Sequence, residues 1–479
     1  MPAGRFDRLT VGEQVAAVLP AVAVYAQMVF IGANTAFLSS LAALADIATA
    51  MVIFGLLAPA TPRRFWGSLA WPAVLLLAAI AWASVGLLPL GRSDWASGYL
   101  QLTGDTSLSL TPDRTLLELS KLLGAGALAL AAALVAASPR RLRVCVMTLL
   151  ALGAAHTLVG LILFAIDPDT VAGLSKGAHR WRFTGTLLNG NAAASSMAMT
   201  GVLAAGYFRS AIRKLQQTPS GARTMAIVRL AAAGGLIFLL AGATALTTSR
   251  TALMAEVAGV FVVLFWPTGR APRAGEPKAP KKGLVASLAG VLAALVCVAL
   301  AVALTEGETL GRAAGLAGDF SLRMSAYEWI AGKSAQAPVF GYGLGSFAPV
   351  ALNGLGFGLA DVVWNLGAAH NALLQAVLEG GAPFAILLSL SILAALAPAC
   401  LKGRTSPIFR AMRVRLFAAL AVAAVCGSVD IALNVPAVAA QAVVLIGLLA
   451  GGARAGTGRP GPQSDAERLE PQAASAATT

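Results

Sequence analysis

The chain has 479 residues, of which 58% are hydrophobic and only 12% charged, and its mean hydropathy is +0.77. This balance lies far outside the range of soluble globular proteins, so the composition excludes a water-soluble fold. The formal net charge is +14, and the four cysteines are isolated from one another along the chain. Isolated cysteines in or beside apolar runs predict neither a disulfide framework nor a cysteine metal site.

Apolar runs of about 20 residues recur along the chain, and a helix of that length crosses the hydrocarbon layer of a bilayer. The sequence therefore predicts an all-α polytopic membrane bundle of about twelve transmembrane helices. We expect one transmembrane domain, residues 1–453, and a disordered cytoplasmic tail, residues 454–479. The predicted spans are 15–33, 36–58, 68–90, 115–137, 144–166, 185–207, 228–246, 251–267, 283–303, 382–400, 416–434 and 437–452.

Lysine and arginine set the predicted orientation, because basic residues are retained on the cytoplasmic side of a membrane. With both termini in the cytoplasm, 25 of the 35 basic residues fall in cytoplasmic segments. Topology and anionic membrane lipids then explain the net charge, which gives no reason to expect nucleic acid as a partner. The same orientation leaves a long outer loop at residues 304–369.

The other basic residues oppose this bias, and they are Arg92, Arg114, Lys121, Lys176, Arg180, Arg182, Arg250, Arg312, Arg323 and Lys333. Arginine keeps its charge and binds phosphate oxygens in pairs, so several arginines at one depth predict a site for a lipid diphosphate. Arg250 ends the short connection "TTSR", and Arg182 lies in "HRWRFTGTLLNGN". Taken singly, each also fits a snorkelling arginine or an interfacial belt residue.

The segment "HNALLQAVLEGG" places His370 at the start of a helical pattern on the same outer face. The positive end of a helix dipole favours neutral imidazole, which leaves one nitrogen free to accept a proton. His370 is therefore a candidate general base, and a capping or belt histidine is the alternative. Asn371 fits a helix cap or a local hydrogen bonder.

The outer loop carries a second pattern in "FSLRMSAYEWIAGKSAQAPVFGYGLGSF", residues 320–347. Its first half predicts an amphipathic helix on the membrane surface, and the residues on its apolar face are Leu322, Ala326, Trp329 and Ile330. The glycines of "GYGLG" lack the strand and helix of a nucleotide-binding loop. We interpret them as turn glycines that let the backbone pass close to a ligand or to a neighbouring helix.

Together, "RFTGTLLNGN", "TTSR", "SLRMSAYEWI", "APVFGYGLGSF" and "AHNALLQAVLEGG" resemble, in order and spacing, the O-antigen ligase and O-antigen polymerase superfamily of bacterial envelope glycosyltransferases. The resemblance covers about residues 180–385 and extends more weakly to "GSVDIALNVP", residues 427–436. It implies a GT-C-type helical protein of the bacterial inner membrane. Such a protein takes a glycan from an undecaprenyl diphosphate-linked donor at the periplasmic face.

By motif position, the resemblance implies that Arg182 and Arg250 bind the donor diphosphate and that His370 acts on the acceptor. "NGN" at 189–191 stands where many members of the superfamily have Asn-Pro-Asn. The residues expected to support the site are Arg180, Asn189, Asn191, Arg323 and Asn371.

The expected reaction is a direct displacement with inversion at the anomeric carbon. Fixed guanidiniums can hold the charge of the leaving diphosphate, so the mechanism requires neither a metal ion nor another cofactor. Neutral His370 would take the proton of the acceptor hydroxyl. "DPD", with Asp167 and Asp169, fits a proline turn better than a divalent-cation site.

The acceptor separates two interpretations within the superfamily. A ligase transfers the finished glycan to the lipid A core, whereas a polymerase of O antigen, capsule or exopolysaccharide extends a growing glycan. The moderate length of the outer loop favours the ligase. From another class, twelve spans with a basic central connection also suggest a major-facilitator-like transporter. Sparse membrane charges and the lack of similarity between the halves weigh against it.

Overall fold

A computed structural model describes residues 9–90, 107–266, 316–353, 367–401 and 405–455, with the backbone alone for residues 178 and 316–323. The described residues form thirteen α-helices and one antiparallel hairpin, β1 (Thr170–Val171) and β2 (Leu174–Ser175). The helices are α1 (Val11–Val29), α2 (Ala36–Leu57), α3 (Arg63–Ser84), α4 (Pro112–Ala136), α5 (Pro139–Ile166), α6 (Gly190–Gln217), α7 (Thr224–Leu246), α8 (Arg250–Phe265), α9 (Leu316–Gln336), α10 (Phe347–Asn353), α11 (Ala372–Cys400), α12 (Pro407–Val429) and α13 (Pro436–Arg454).

Nine of the described helices, namely α1–α5, α7 and α11–α13, are long and apolar enough to cross a membrane. The prediction of an all-α polytopic membrane protein is thereby confirmed. Two further predicted spans coincide with α6 and α8, although α8 has only 16 residues. The predicted span 283–303 and the predicted tail from residue 456 lie outside the described residues. The count of twelve spans therefore stays a prediction.

Local sequence explains where many helices begin. Helices α4, α5, α12 and α13 each start at a proline, whose fixed φ suits the first turn and whose missing N–H costs no bond there. Thr10 caps α1 and forms a capping box with Glu13. Between such ends most backbone groups are satisfied within their own helix, as a bilayer requires. Helix α11 departs from helical geometry at Gly381, where φ is +76°, and the next N–H, that of Ala382, donates to the Pro338 carbonyl at 2.9 Å.

Small residues let the central helices approach closely. Gly447 and Gly451 lie one turn apart on α13 and face the backbone of Ala129 and Ala133 on α4, where an added Cβ would collide. Helices in a membrane gain little from the hydrophobic effect between them, so close van der Waals contact of this kind stabilises the bundle. The approach encloses α13, whose residues are mostly buried.

A buried polar network joins α13 to α6 and α1. The Gln441 side chain accepts a hydrogen bond from Ser196 Oγ at 2.7 Å and donates one to Thr200 Oγ1 at 3.1 Å. The Tyr25 hydroxyl lies 3.1 Å from the same Thr200 oxygen. Such interhelical bonds contribute about 0.6–2 kcal/mol each in membrane proteins and fix which faces meet.

The predicted loop helix is present as α9, but its position differs from the prediction. Ala326 and Ile330 were expected to face the membrane surface, and they instead pack inside the protein against Tyr342, Phe347 and Leu378. The prediction of a membrane-surface contact for these two residues was wrong. The physical reason is that the chain after α9 folds back on α11 and supplies the apolar cover that the surface would have provided.

The glycines of "GYGLG" bring this returning backbone directly onto α11. The backbone N–H groups of Tyr342 and Gly343 donate to the carbonyls of Leu378 and Glu379 at 3.0 and 2.8 Å. Gly341 has a φ of +64°, and an added Cβ would lie 2.5 Å from the carbonyl carbon of Glu379. The interpretation of these glycines as residues that permit close approach to a neighbouring helix is confirmed.

Replacing Gly341 by Ala should destabilise the protein, because the new Cβ meets backbone that cannot move aside and the positive φ disfavours any L side chain. We expect a loss of about 1–3 kcal/mol, seen as a lower unfolding temperature of the purified protein in detergent. Gly332→Ala is the matched control, because Gly332 lies in α9 with no atom within 4 Å of an added Cβ. Equal unfolding temperatures for the two variants would contradict the prediction.

Candidate functional site

Asparagines define two helix starts at one end of the bundle. The Asn189 side chain accepts hydrogen bonds from the N–H groups of Asn191 and Ala192 and caps α6. Asn371 caps α11 in the same way, accepting from Leu373 and Leu374 at 3.0 Å each. These caps satisfy N–H groups that would otherwise have no partner. We call this part of the molecule, where α6 and α11 begin, the His370 end.

Asp430 joins these two helix starts. It follows the last residue of α12, and its carboxylate accepts a hydrogen bond from Asn191 Nδ2 at 2.5 Å and from its neighbour's N–H, that of Ile431, at 2.7 Å. The other member of the group is His370, whose Nδ1 lies 3.9 Å from Asp430 Oδ1. An acidic side chain that is 11% exposed therefore lies between Asn191 and the candidate base.

The backbone around His370 is held in an unusual conformation. His370 has a φ of +51°, which is uncommon for a residue with a side chain and costs free energy. Its carbonyl accepts a hydrogen bond from the Tyr327 hydroxyl of α9 at 3.0 Å. The residues before and after His370 are also bonded: the Ala369 N–H donates to Gln375 Oε1, and Asn371 Nδ2 donates to the carbonyl of Ser428. These bonds fix the imidazole at the start of α11, with its side chain 26% exposed.

Arg182 belongs to a compact connection between α5 and α6. The Lys176 ammonium donates to the carbonyls of Pro168 and Arg182 at 2.8 and 3.2 Å, and it is almost fully buried. That burial lowers the pKa of Lys176. The Phe183 N–H then donates to the carbonyl of Leu246, the last residue of α7. Arg182 is thus held where this connection meets α7.

The "DPD" sequence forms a turn. The Asp167 carboxylate accepts hydrogen bonds from the Thr170 hydroxyl at 2.6 Å and from the Asp169 N–H at 2.9 Å. These bonds, the hydroxyl first, hold the pKa of Asp167 below its usual range. The turn interpretation fits this geometry, since the carboxylate closes the turn with its own neighbours.

Arg250 is the first residue of α8, immediately after the sharp turn that ends α7. Thr248 in this turn has a φ of +61°, and the Thr247 carbonyl faces Gly190 at the start of α6. The connections that carry Arg182 and Arg250 are therefore in direct contact, through the Phe183 bond and this packing. Within the part of the chain that the structure describes, the half-buried Arg250 guanidinium makes no hydrogen bond or ion pair.

His179 connects the arginine segment with Asp430. Its Nδ1 accepts a hydrogen bond from the Gly190 N–H at 3.4 Å. Burial lowers the pKa of His179, the Arg182 guanidinium lowers it further, and the Asp430 carboxylate acts in the opposite direction. Both of these charges consequently lie within electrostatic reach of one imidazole.

The predicted site residues fall into three groups. The structure brings Arg182, Asn189, Asn191, Arg250, His370 and Asn371 together at the His370 end. Arg180 is exposed, and its guanidinium donates a hydrogen bond to Ser175 Oγ of the hairpin at 3.5 Å. Arg323 belongs to α9, and its side chain lies outside the described residues.

Sequence reasoning missed Asp430 and His179. For Asp430 the available signal was a single acidic residue between two apolar runs, inside the weakly similar "GSVDIALNVP". For His179 the available signal was its position three residues before Arg182. Neither signal reveals a partner, because Asp430 is distant in sequence both from Asn191, which it bonds, and from His179, on which its charge acts.

Replacing His179 by Gln should reduce the acid sensitivity of the protein. The folded pKa lies below the ordinary 6.5, so below about pH 6.5 the unfolded chain binds a proton that the folded one does not. The stabilisation from neutral His179 is therefore present above pH 6.5 and is lost as the pH falls towards the folded pKa. Glutamine keeps an acceptor for the Gly190 N–H and does not titrate.

Unfolding temperatures measured between about pH 7.5 and about pH 5 check this prediction. We expect the wild type to lose more stability than His179→Gln over that interval. Identical pH dependence for both proteins would show that His179 does not titrate differently in the folded state.

Comparison with known protein families finds a similarity over the middle of the chain. No curated protein matches the chain. A family model described as O-antigen ligase matches residues 235–389, from α7 to α11, and this segment contains Arg250, Arg323 and His370. Arg182 and Asp430 lie outside it. The match weighs against the transporter interpretation, and it confirms the resemblance inferred from the motifs: over residues 235–389 this membrane protein is similar to the O-antigen ligase family.

Proposed function

We propose that the protein is a glycosyltransferase that moves a glycan from undecaprenyl diphosphate to an acceptor hydroxyl at the periplasmic face of the bacterial inner membrane. The specific reaction is ligation of O antigen to the lipid A core. One observation carries this proposal: the O-antigen ligase segment supplies Arg250 and His370 to the same end of the bundle as Arg182 and Asp430. The His370 end is then the periplasmic end.

Arg182 and Arg250 hold the donor diphosphate in this mechanism. They come from connections that touch each other, so one diphosphate can contact both guanidiniums. Among the described residues, the Arg250 guanidinium has no hydrogen-bond or ion-pair partner, which leaves its planar fork available for phosphate oxygens. At the edge of the low-dielectric layer, such fixed cations stabilise the charge that develops on a leaving diphosphate.

His370 acts as the general base, and Asp430 assists it. The imidazole takes the proton from the acceptor hydroxyl as the bond to the sugar forms. The carboxylate 3.9 Å away stabilises the imidazolium that results. A positioned general base contributes typically about 10²- to 10⁴-fold to a rate. Asn191 fixes the Asp430 carboxylate by its hydrogen bond, so it positions the base from a second helix.

The displacement is direct and proceeds with inversion. The acceptor oxygen attacks the anomeric carbon while the bond between that carbon and the diphosphate oxygen breaks. The bonding electron pair leaves with undecaprenyl diphosphate, whose negative charge the two guanidiniums hold. His370 carries the proton and returns it to solvent afterwards. In this scheme the residues need no metal ion and no covalent glycosyl intermediate.

A polymerase of O antigen, capsule or exopolysaccharide would use the same chemistry with a growing glycan as acceptor. Deletion of the gene followed by analysis of the accumulated glycans tests the choice. We expect a lipid-linked polymer that is not attached to the lipid A core, which indicates a ligase. Accumulation of single, unpolymerised repeat units would replace the ligase proposal with the polymerase.

Replacing His370 by Asn should lower glycan transfer by at least about 100-fold, because asparagine cannot accept and carry the proton. Asparagine is the suitable replacement, since it tolerates the positive φ of this position better than other residues with side chains. Transfer is measured with the purified protein, and its unfolding temperature serves as the folding control. Near-normal transfer by the folded variant would remove the assignment of the base.

Replacing Arg250 by Lys should weaken transfer about tenfold while leaving it measurable, since lysine keeps the charge but loses the paired N–H donors. Arg63→Lys is the matched control. Arg63 is also the first residue of a helix, α3, at the opposite end of the bundle. We expect the control to transfer normally. Full activity of Arg250→Lys would mean that Arg250 is only a membrane anchor.

A further inference from the structure

A large cavity opens at the His370 end beside the proposed site. Its volume is about 600 Å³, and its walls come from α2, α4, α11 and the chain that leads into α13. Volumes of about 300–1,000 Å³ are typical of sites for small molecules. No step of the mechanism above uses this cavity, and none of the residues proposed to bind the donor lines it.

The helix α4 presents one polar face to the cavity. Arg114, Glu118 and Lys121 follow each other at intervals of three or four residues, and one face of a helix has that spacing. The Lys121 ammonium lies 2.8 Å from the Glu118 carboxylate. The Arg114 guanidinium, which is exposed, makes no hydrogen bond or ion pair with the described residues. Ionisable groups within a helix that is long and apolar enough to cross a membrane are costly, and they are typical of functional sites.

The opposite wall adds amide groups that suit sugar hydroxyls. Gln375 of α11 and Asn434 both line the cavity, and Asn434 Nδ2 donates to Gln375 Oε1 at 2.6 Å. Leu122 of α4 and Phe384 of α11 form an apolar part of the lining. The cavity therefore combines donors, acceptors and apolar surface, which is the mixture that a saccharide requires.

The cavity touches the segment that carries His370. Gly367 and Ala372 line it from the two sides of this segment, and Gln375 Oε1 accepts the N–H of Ala369 at 3.3 Å. The His370 imidazole faces Asp430, which in turn is bonded to Asn191 of α6. His370 is thus flanked by the cavity on one side and by the arginine-bearing connections on the other.

We propose that this cavity binds the saccharide end of the acceptor. This inference rests on the proposed function, because a transferase must bring two substrates together at one base. The donor diphosphate occupies the arginine side, so the acceptor sugar enters from the cavity side and presents its hydroxyl to His370. Gln375, Asn434 and the charged face of α4 bond the remaining hydroxyls, and the apolar part of the lining excludes water.

Two variants test the inference by different physical effects. Lys121→Met removes the ammonium group while keeping most of the side-chain length. Ala376→Leu fills part of the cavity and leaves every charged group in place, since Ala376 also lines it. Lys333→Met is the matched control: Lys333 lies in α9 with its ammonium 6.0 Å from the Trp329 ring centroid, and it does not line the cavity.

The experiment measures two-substrate kinetics of the full-length protein in detergent. The probes are an undecaprenyl diphosphate-linked O antigen as donor and lipid A core that lacks O antigen as acceptor. We expect Lys121→Met to raise the KM for the acceptor about tenfold, because the variant loses a charge-assisted hydrogen bond to the sugar. We expect Ala376→Leu to raise the same KM about tenfold, because the larger side chain occupies space that the sugar needs. We expect the KM for the donor to stay within about twofold, and the control to match the wild type in both constants.

The outcomes separate the two proposals. If the wild type transfers glycan but both cavity variants keep a normal KM for the acceptor, the cavity inference is wrong and the proposed function stands. If the variants raise the KM for the donor instead, the cavity belongs to the donor and the inference is equally wrong. If the wild type transfers no glycan between these substrates, the proposed function itself fails. Unfolding temperatures show that each variant is folded.

Discussion

The hydrocarbon layer of a membrane offers no water to bond backbone groups, and the whole structure depends on this constraint. Helices satisfy most of it along their length, and irregular backbone is found where side chains or neighbouring backbone groups supply the missing partners. At the His370 end, Asn189 and Asn371 cap two helix starts. The Glu379 carboxylate accepts the N–H groups of Gly345 and Phe347, which would otherwise have no partner. The candidate site is built from these non-helical segments.

Asp430 shows how a structural bond and a chemical role combine in one group. Its carboxylate holds Asn191 and the turn before α13, and it also places negative charge beside His370 and within reach of His179. Positive charge lies on the connections that carry Arg182 and Arg250, and the Arg182 guanidinium also acts on His179. This separation of charge suits a proposed reaction in which a proton moves towards His370 while negative charge develops on a leaving diphosphate.

Features that depend on neighbours along the chain were predictable. The apolar runs predicted the helices, "HNALLQAV" predicted a helix start, and "GYGLG" predicted a close backbone approach. Asn371 was predicted to be either a helix cap or a local hydrogen bonder, and the structure shows the cap. The loop helix α9 was predicted correctly as a helix, but its environment was not, since periodicity reveals an apolar face without showing what covers it. The contact of Asp430 with His370 and the polar cavity both join residues that are distant in sequence.

Hydropathy and the length of the apolar runs can be read along the chain, and they were sufficient to predict a helical membrane protein. The order of the motifs likewise predicted the similarity to O-antigen ligases that the family model finds over residues 235–389. Which polar residues meet depends instead on the tertiary structure. That choice follows from how closely the helices approach, through small residues such as Gly447 and Gly451, and from interhelical hydrogen bonds such as that of Gln441. Contacts of this kind depend on the shapes of facing surfaces, which no single stretch of sequence records.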